Sequence, residues 1–309
     1  MRVVWLREFG GPEVLVPGVA DEPVAGPGQL VVDVEFVNVT FVETQIRGGK
    51  GPYPVSLPMI PGNGVGGTVS SIRDGVSADL LGALVVTSTG GKGAYAERVA
   101  VDATAVFLVP EGRTLDQAVA LLADGRTATM MARAADVKPG ERVLVEAAAG
   151  GVGSLLVQLL KSSGAEVVGA VGSARKAAIA SELGADLVVD YSRVGWEAQV
   201  GGIDVVFDGV GGEIGRAAFE LLRPGGRMVS FGLASGRWVS ISDDEASARD
   251  VRLVRPSATA EEMRGFTSDA LHGALRPLIG QRFSLEKAFD AHAAIESRAT
   301  VGKTLLEVR

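Results

Sequence analysis

Residues 143–153 read Val143-Leu144-Val145-Glu146-Ala147-Ala148-Ala149-Gly150-Gly151-Val152-Gly153. A β-branched run, a cluster of small residues and an apolar helical pattern follow one another, the order of strand, tight turn and helix in a dinucleotide-binding βαβ unit. Such a turn needs a small residue first, a glycine where backbone meets pyrophosphate, and another where helix lies on strand. Ala148, Gly150 and Gly153 fill those places. Ala149, Gly150, Gly151, Val152 and Gly153 form the candidate phosphate loop, and the amides of Gly151 and Val152 open a helix whose positive end favours phosphate.

The flanks give this pattern its weight. Strands are expected at 142–147, 166–171, 186–190, 204–208, 227–232 and 251–255, with helices at 152–163, 174–183 and 213–222, the last stopped by Pro224-Gly225-Gly226. Strands separated by helices of this length imply right-handed crossovers and a doubly wound parallel sheet. Upstream, β-branched runs at 30–39, 66–72, 84–89 and 95–101 alternate with Gly and Pro, which suggests a β-rich, barrel-like module. Thr114 is an N-cap candidate for a helix to 122, and a second helix fits 127–135. The tail from about residue 259 carries two amphipathic helical segments and a strand at 303–308. A completed six-stranded sheet has no place for that strand, so it is expected to return to the first module. The division is then 1–114 with 259–309, and 115–258.

Composition narrows the classes. Glycine, 42 of 309 residues, is about twice its ordinary share without a collagen period, so it must serve turns and close approaches. Cysteine is absent, which removes disulfides and Cys-based zinc sites, and only His272 and His292 supply imidazoles. Both are read as structural. A net charge of −7, from 30 cations and 37 anions, argues against nucleic-acid binding. No apolar run reaches membrane-spanning length. Without a signal peptide or disulfides, a cytoplasmic protein is expected.

About twenty residues after the loop, at the end of the second strand, an NAD enzyme carries an acid for the ribose 2′-hydroxyl, whereas a 2′-phosphate wants cations. Here Gly172, Ser173, Ala174, Arg175 and Lys176 supply a hydroxyl and two cations and no acid. NADPH is expected over NADH.

With Ile46-Arg47-Gly48-Gly49, Leu57-Pro58, Pro61-Gly62, Gly93-Ala94-Tyr95-Ala96-Glu97, the phosphate loop, Gly184-Ala185-Asp186, Asp208-Gly209-Val210-Gly211, Leu222-Arg223-Pro224-Gly225-Gly226, Val229-Ser230-Phe231-Gly232 and Glu296-Ser297-Arg298-Ala299-Thr300-Val301-Gly302-Lys303 in this order, the chain resembles, over essentially its whole length, the zinc-free, zeta-crystallin-like quinone oxidoreductases of the medium-chain dehydrogenase/reductase superfamily. The resemblance implies a GroES-like β-barrel catalytic domain, built from the two ends of the chain, with the Rossmann domain inserted between. It implies Tyr191 and Arg298 near the 2′-phosphate, Phe231, Gly232 and Leu233 at the nicotinamide end, and Val210 at the middle. Related proteins commonly dimerise through an edge strand of the dinucleotide domain, so a homodimer is expected.

Zinc-dependent relatives place a Cys ligand where this chain has Thr40 to Thr44, and a Gly-His-Glu where it has Gly62-Asn63-Gly64. No catalytic metal is expected, and hydride delivery to a small quinone or an α,β-unsaturated carbonyl remains. The polar set facing the cleft would be Thr40, Gln45, Tyr53, Asn63 and Thr127. The family often has an asparagine and a tyrosine near Thr40 and Gln45, a departure that bears on benzoquinone reduction. Tyr53 either lends its hydroxyl to the developing charge or covers the cleft as a loop aromatic, and Thr127 either meets the substrate or carboxamide, as Asn63 would, or caps its helix. Reduction of a polyketide-like or thioester-bound enone, and NADPH binding without catalysis, are the alternative functions.

Overall fold

The computed structural model describes residues 1–308, which form two compact units, residues 1–123 with 277–308, and residues 124–276. The first unit opens with strands β1 (Arg2–Leu6), β2 (Leu15–Val19) and β3 (Gln29–Val39), helix α1 (Phe41–Arg47), and strands β4 (Gly64–Ile72), β5 (Leu84–Ser88), β6 (Arg98–Asp102) and β7 (Phe107–Leu108). Helix α2 (Leu115–Ala135) contains the first unit boundary. The second unit continues with β8 (Arg142–Glu146), α3 (Gly151–Ser162), β9 (Glu166–Val171), α4 (Ala174–Glu182), β10 (Leu187–Asp190), β11 (Ile203–Asp208), α5 (Gly212–Glu220) and β12 (Leu222–Ser230). It closes with α6 (Asp243–Ala248), β13 (Arg252–Val254) and α7 (Ala260–His272), after which β14 (Ile279–Ser284), α8 (Ala288–Glu296) and β15 (Lys303–Glu307) belong to the first unit.

In the second unit the strand order is β10-β9-β8-β11-β12-β13, with all pairs parallel. The near-continuous apolar runs Val143–Val145 and Val205–Phe207 are fully buried, as a sheet covered on both faces requires. The order in which successive strands are laid down reverses between β8 and β11, from one side of β8 to the other. The loops that follow these two strands therefore flank the switch point, where ligands of doubly wound sheets bind.

In the first unit, seven strands run β14-β15-β3-β4-β5-β7, with β6 also on β3. The terminal strand lies antiparallel to β3, Leu306 opposite Val37, and parallel to β14. The expected return of the last strand is thus observed. Val32, Val34, Val37, Val65, Val85, Tyr95 and Leu306 close one core.

Three local expectations are corrected. The two helices expected at 114–122 and 127–135 are the single helix α2, because Gly125 within it costs helix propensity without breaking the hydrogen-bond ladder. Strand β12 starts at Leu222, upstream of Pro224-Gly225-Gly226, and absorbs them at a register irregularity beside Ile203 and Val205. Strand β14 was not anticipated: Ile279-Gly-Gln-Arg-Phe-Ser lies at a sheet edge and alternates poorly. The units divide at Ala123/Asp124 and Arg276/Pro277, where the sequence reading had 114/115 and 258/259; α7 stays with the second unit through Arg133 to Asp269 at 2.5 Å, next to the bonds of Gln158 to Arg276.

Arg227 locks the end of α2 to the parallel sheet. Its guanidinium donates to the carbonyls of Ala135 and Asp136 and grips the Glu141 carboxylate at 2.6 and 2.8 Å. Arg227→Met leaves those acceptors unpaired and should lower unfolding free energy by about 3 kcal/mol. Chemical denaturation followed by circular dichroism measures it; an unchanged midpoint contradicts the clamp.

Candidate functional site

The second unit presents the phosphate loop. Gly150 is the N-cap of α3, has no side chain to offer the helix, and turns back through its amide to the Ala147 carbonyl at 2.7 Å. The first intrahelical bond runs from Ser154 to Gly150, so the amides of Gly151, Val152 and Gly153 have no intrahelical acceptor. A Cβ on Gly153 would stand 2.2 Å from the Ala147 oxygen, so only glycine lets helix and strand approach. Ala148 and Ala149 are buried beneath. This cradle suits a pyrophosphate.

At the end of β9, Ser173 caps α4 by accepting the Lys176 amide, and Arg175 stands in the same first turn. The Tyr191 ring lies against Gly172, where a Cβ would be 3.0 Å from the ring edge. The structure therefore brings Gly172, Ser173, Arg175, Lys176 and Tyr191 together, with no acid between Val171 and Lys176.

The loops after β11 and β12 are joined backbone to backbone. Phe231 and Gly232 donate to Asp208, Ala234 to Gly209 and Ser235 to Val210, while Leu233 accepts from Gly236 in the next turn. The Phe231 ring rests on Gly209. Beneath Val210 lie two fully buried carboxyls that the sequence reading had absorbed as strand ends. Glu146 accepts the Val210 amide at 3.0 Å, Asp208 accepts the Val210 and Gly211 amides at 3.1 and 2.6 Å, and Ser230 donates to Asp208. Burial, reinforced by the Asp208 charge, pushes the Glu146 carboxyl well above the usual carboxylate range. Glu146 is thus favoured as the acid. Thr127 lies inside α2 and caps nothing.

The first unit gathers Thr40, Tyr53 and Asn63 around a residue not singled out from the sequence, Glu43. Its Oε2 accepts the Thr40 amide at 2.5 Å and the Thr40 hydroxyl at 3.2 Å, as the N3 carboxylate of a capping box. The Asn63 amide and the Lys303 ammonium also favour its charged form, yet burial dominates and pushes its pKa up to about 7. The Glu43 charge, after burial, raises the Tyr53 phenol; Tyr53 is half exposed and its hydroxyl sits over Gly91. Asn63 accepts the Ser88 hydroxyl at 3.1 Å, and Gln45 reaches Thr44. Arg298 lies over the Phe41 ring at 4.7 Å.

Deeper in, the Tyr95 hydroxyl and His292 Nε2 are 2.8 Å apart, both fully buried, and Arg47 pairs with Glu296. Burial, then the Arg47 charge, lowers the His292 pKa to about 3, so this imidazole is neutral. It binds a proton more readily in the unfolded chain. Its contribution is therefore complete above about pH 6.5 and drains away as the pH falls toward about 3. Between about pH 7 and about pH 4 the wild type should lose roughly 3 kcal/mol more stability than His292→Gln, which never charges. Parallel urea titrations at the two pH values test this; equal losses contradict it. His272 is exposed, bonded to the Ser268 carbonyl at the end of α7.

Among the described residues no group of three or more His, Asp or Glu side chains is placed to hold a metal ion, and the chain has no cysteine. No helix among them is long and apolar enough to cross a membrane.

A GroES-like unit joined to a doubly wound sheet with a glycine phosphate loop defines a medium-chain dehydrogenase/reductase. Residues 26–111 match the family described as alcohol dehydrogenase GroES-like domain, and residues 151–267 the one described as zinc-binding dehydrogenase. A probable quinone oxidoreductase of Schizosaccharomyces pombe is 37% identical over 98% of this chain and 96% of its own. Among solved structures, a mycobacterial protein complexed with NADPH superposes with a TM-score of 0.91 at 33% identity, and the Escherichia coli quinone oxidoreductase complexed with NADPH with 0.90 at 30%. Both cover 100% of each chain. The chain belongs to the quinone oxidoreductase family of this superfamily.

Proposed function

We propose that the protein is an NADPH-dependent oxidoreductase that delivers a hydride to a small-molecule quinone. The observation that carries this is the pairing of the Gly150–Gly153 cradle with Ser173, Arg175 and Lys176 at the end of β9, a position without an acid. NADPH supplies the hydride when bound. Gly150, Gly151, Val152 and Gly153 would hold its pyrophosphate, and Ser173, Arg175, Lys176 and Tyr191, with Arg298, its 2′-phosphate. Ala149 and Gly172 shape the two turns, while Val210, Phe231, Gly232 and Leu233 support the nicotinamide half. Thr40, Tyr53, Asn63 and Thr127 would orient the acceptor carbonyl.

The donor set favours metal-independent chemistry, because cysteine is absent and the Thr40–Thr44 segment offers hydroxyls where zinc enzymes use a thiolate. The barrel and tail are proposed as the catalytic domain and 115–258 as the cofactor domain. A cytoplasmic homodimer that binds neither nucleic acid nor membrane completes the reading.

Thr40 and Gln45, at positions where family members often carry asparagine and tyrosine, favour a second reading as an enone reductase, including thioester-bound enones. Anaerobic mixing with NADPH and a panel of quinones and enones separates the two. Cofactor oxidation by quinones is expected; saturation of a C=C without quinone turnover supports the second reading. Tight NADPH binding with no oxidation across the panel points to a non-catalytic binding protein.

A further inference from the structure

Glu43 is a buried acid with an outlet. The residue is 3% exposed. Oε1 has no hydrogen-bond partner among the described residues, whereas Oε2 is held by the amide and hydroxyl of Thr40, which is itself only partly buried. A carboxyl with one orphaned oxygen in such a place is satisfied more easily as the acid than as the anion.

The groups that face it come from every element around it. Lys303 approaches from β15, the Asn63 amide from the segment before β4, and the Tyr53 phenol from the loop after α1. The Tyr95 hydroxyl lies beside it and is already committed to neutral His292 of α8. Arg47, one turn along α1, is bound to Glu296. One cation and two backbone amides favour the anion and burial opposes it; the balance falls at about 7.

Reduction of a quinone to its hydroquinone takes a hydride and one proton. We propose that Glu43 is the residue that delivers this proton, through the Thr40 hydroxyl. This rests on the function proposed above. As the hydride adds, its two electrons leave negative charge on a quinone oxygen. The Thr40 hydroxyl, which donates to Glu43 Oε2 at rest, turns to that oxygen and its O–H bond breaks toward it, the proton carried on Glu43 Oε2 passes to the Thr40 oxygen, and Glu43 remains as the carboxylate until it is reprotonated from solvent. Glu43 acts through Thr40 and is a positioning residue in this sense.

The test is the pH profile of kcat with NADPH and a quinone that the wild type reduces. The wild type should lose kcat as the pH rises through about 7. Glu43→Gln should lower kcat by about a hundredfold below that pH and remove the transition, with NADPH affinity unchanged, and Glu43→Asp should restore part of the rate and a titration. Thr40→Val, which keeps the amide bond to Glu43 and removes the hydroxyl, should lower kcat similarly even where Glu43→Gln does not fold. A transition that persists in Glu43→Gln, or a Thr40→Val enzyme with wild-type kcat, overturns the relay while the proposed function stands. A wild type that oxidises no NADPH with any quinone overturns both.

Discussion

Gly153→Val is expected to abolish NADPH binding, weakening it by at least about a hundredfold, and to lower stability by about 3 kcal/mol. The Cβ alone would lie 2.2 Å from the Ala147 oxygen and 2.8 Å from its carbonyl carbon. These are backbone atoms of the residue that directly follows β8, a strand paired on both sides by β9 and β11, which leaves them little room to retreat. Relief has to come from tilting the first turn of α3, and that turn carries the amides meant for phosphate. Gly265→Ala is the control, since nothing lies within 4 Å of a Cβ there and α7 should gain roughly 0.5–1 kcal/mol. Thermal melts with and without NADPH separate the effects. Wild-type affinity in Gly153→Val removes the loop from the cofactor site.

The second large effect is selective. Lys176→Ala should weaken NADPH binding by about tenfold, and Arg175→Ala with Lys176→Ala by about a hundredfold, with NADH affinity changed less than about twofold. Ser173 fixes the first turn of α4 by accepting the Lys176 amide, and Tyr191 packs on Gly172, so both cations leave a rigid corner at the end of β9. A 2′-phosphate adds nearly two negative charges there; NADH presents a neutral hydroxyl. Fluorescence titration of both cofactors reads the difference. Equal losses contradict the assignment.

The dinucleotide unit was legible because its signals are local. The run Glu166–Val171 is read as a strand to the residue, since β-branched residues between Gly164 and Gly172 leave no other element. Where tertiary context decides, reading from residues fell short. The Thr40–Glu43 capping box is local, whereas the burial that turns this carboxylate toward the acid comes from segments distant in sequence, Tyr95 among them, against the opposing charge of Lys303. A Thr-x-x-Glu pair beside an arginine one turn on was the available signal. Sequence alone does not say what the glycines of β4 approach. Gly64 and Gly66 in fact make room for Leu122 and Val119 of α2, and Gly67 for the Asp33 carbonyl of β3.

The most direct measurement of the central claim is the anaerobic stoichiometry and rate of cofactor oxidation by one quinone, with NADPH and with NADH. The account predicts one NADPH consumed per quinone reduced and a kcat/KM at least about tenfold lower for NADH. Equal kcat/KM for the two cofactors, or no oxidation of either, would contradict it.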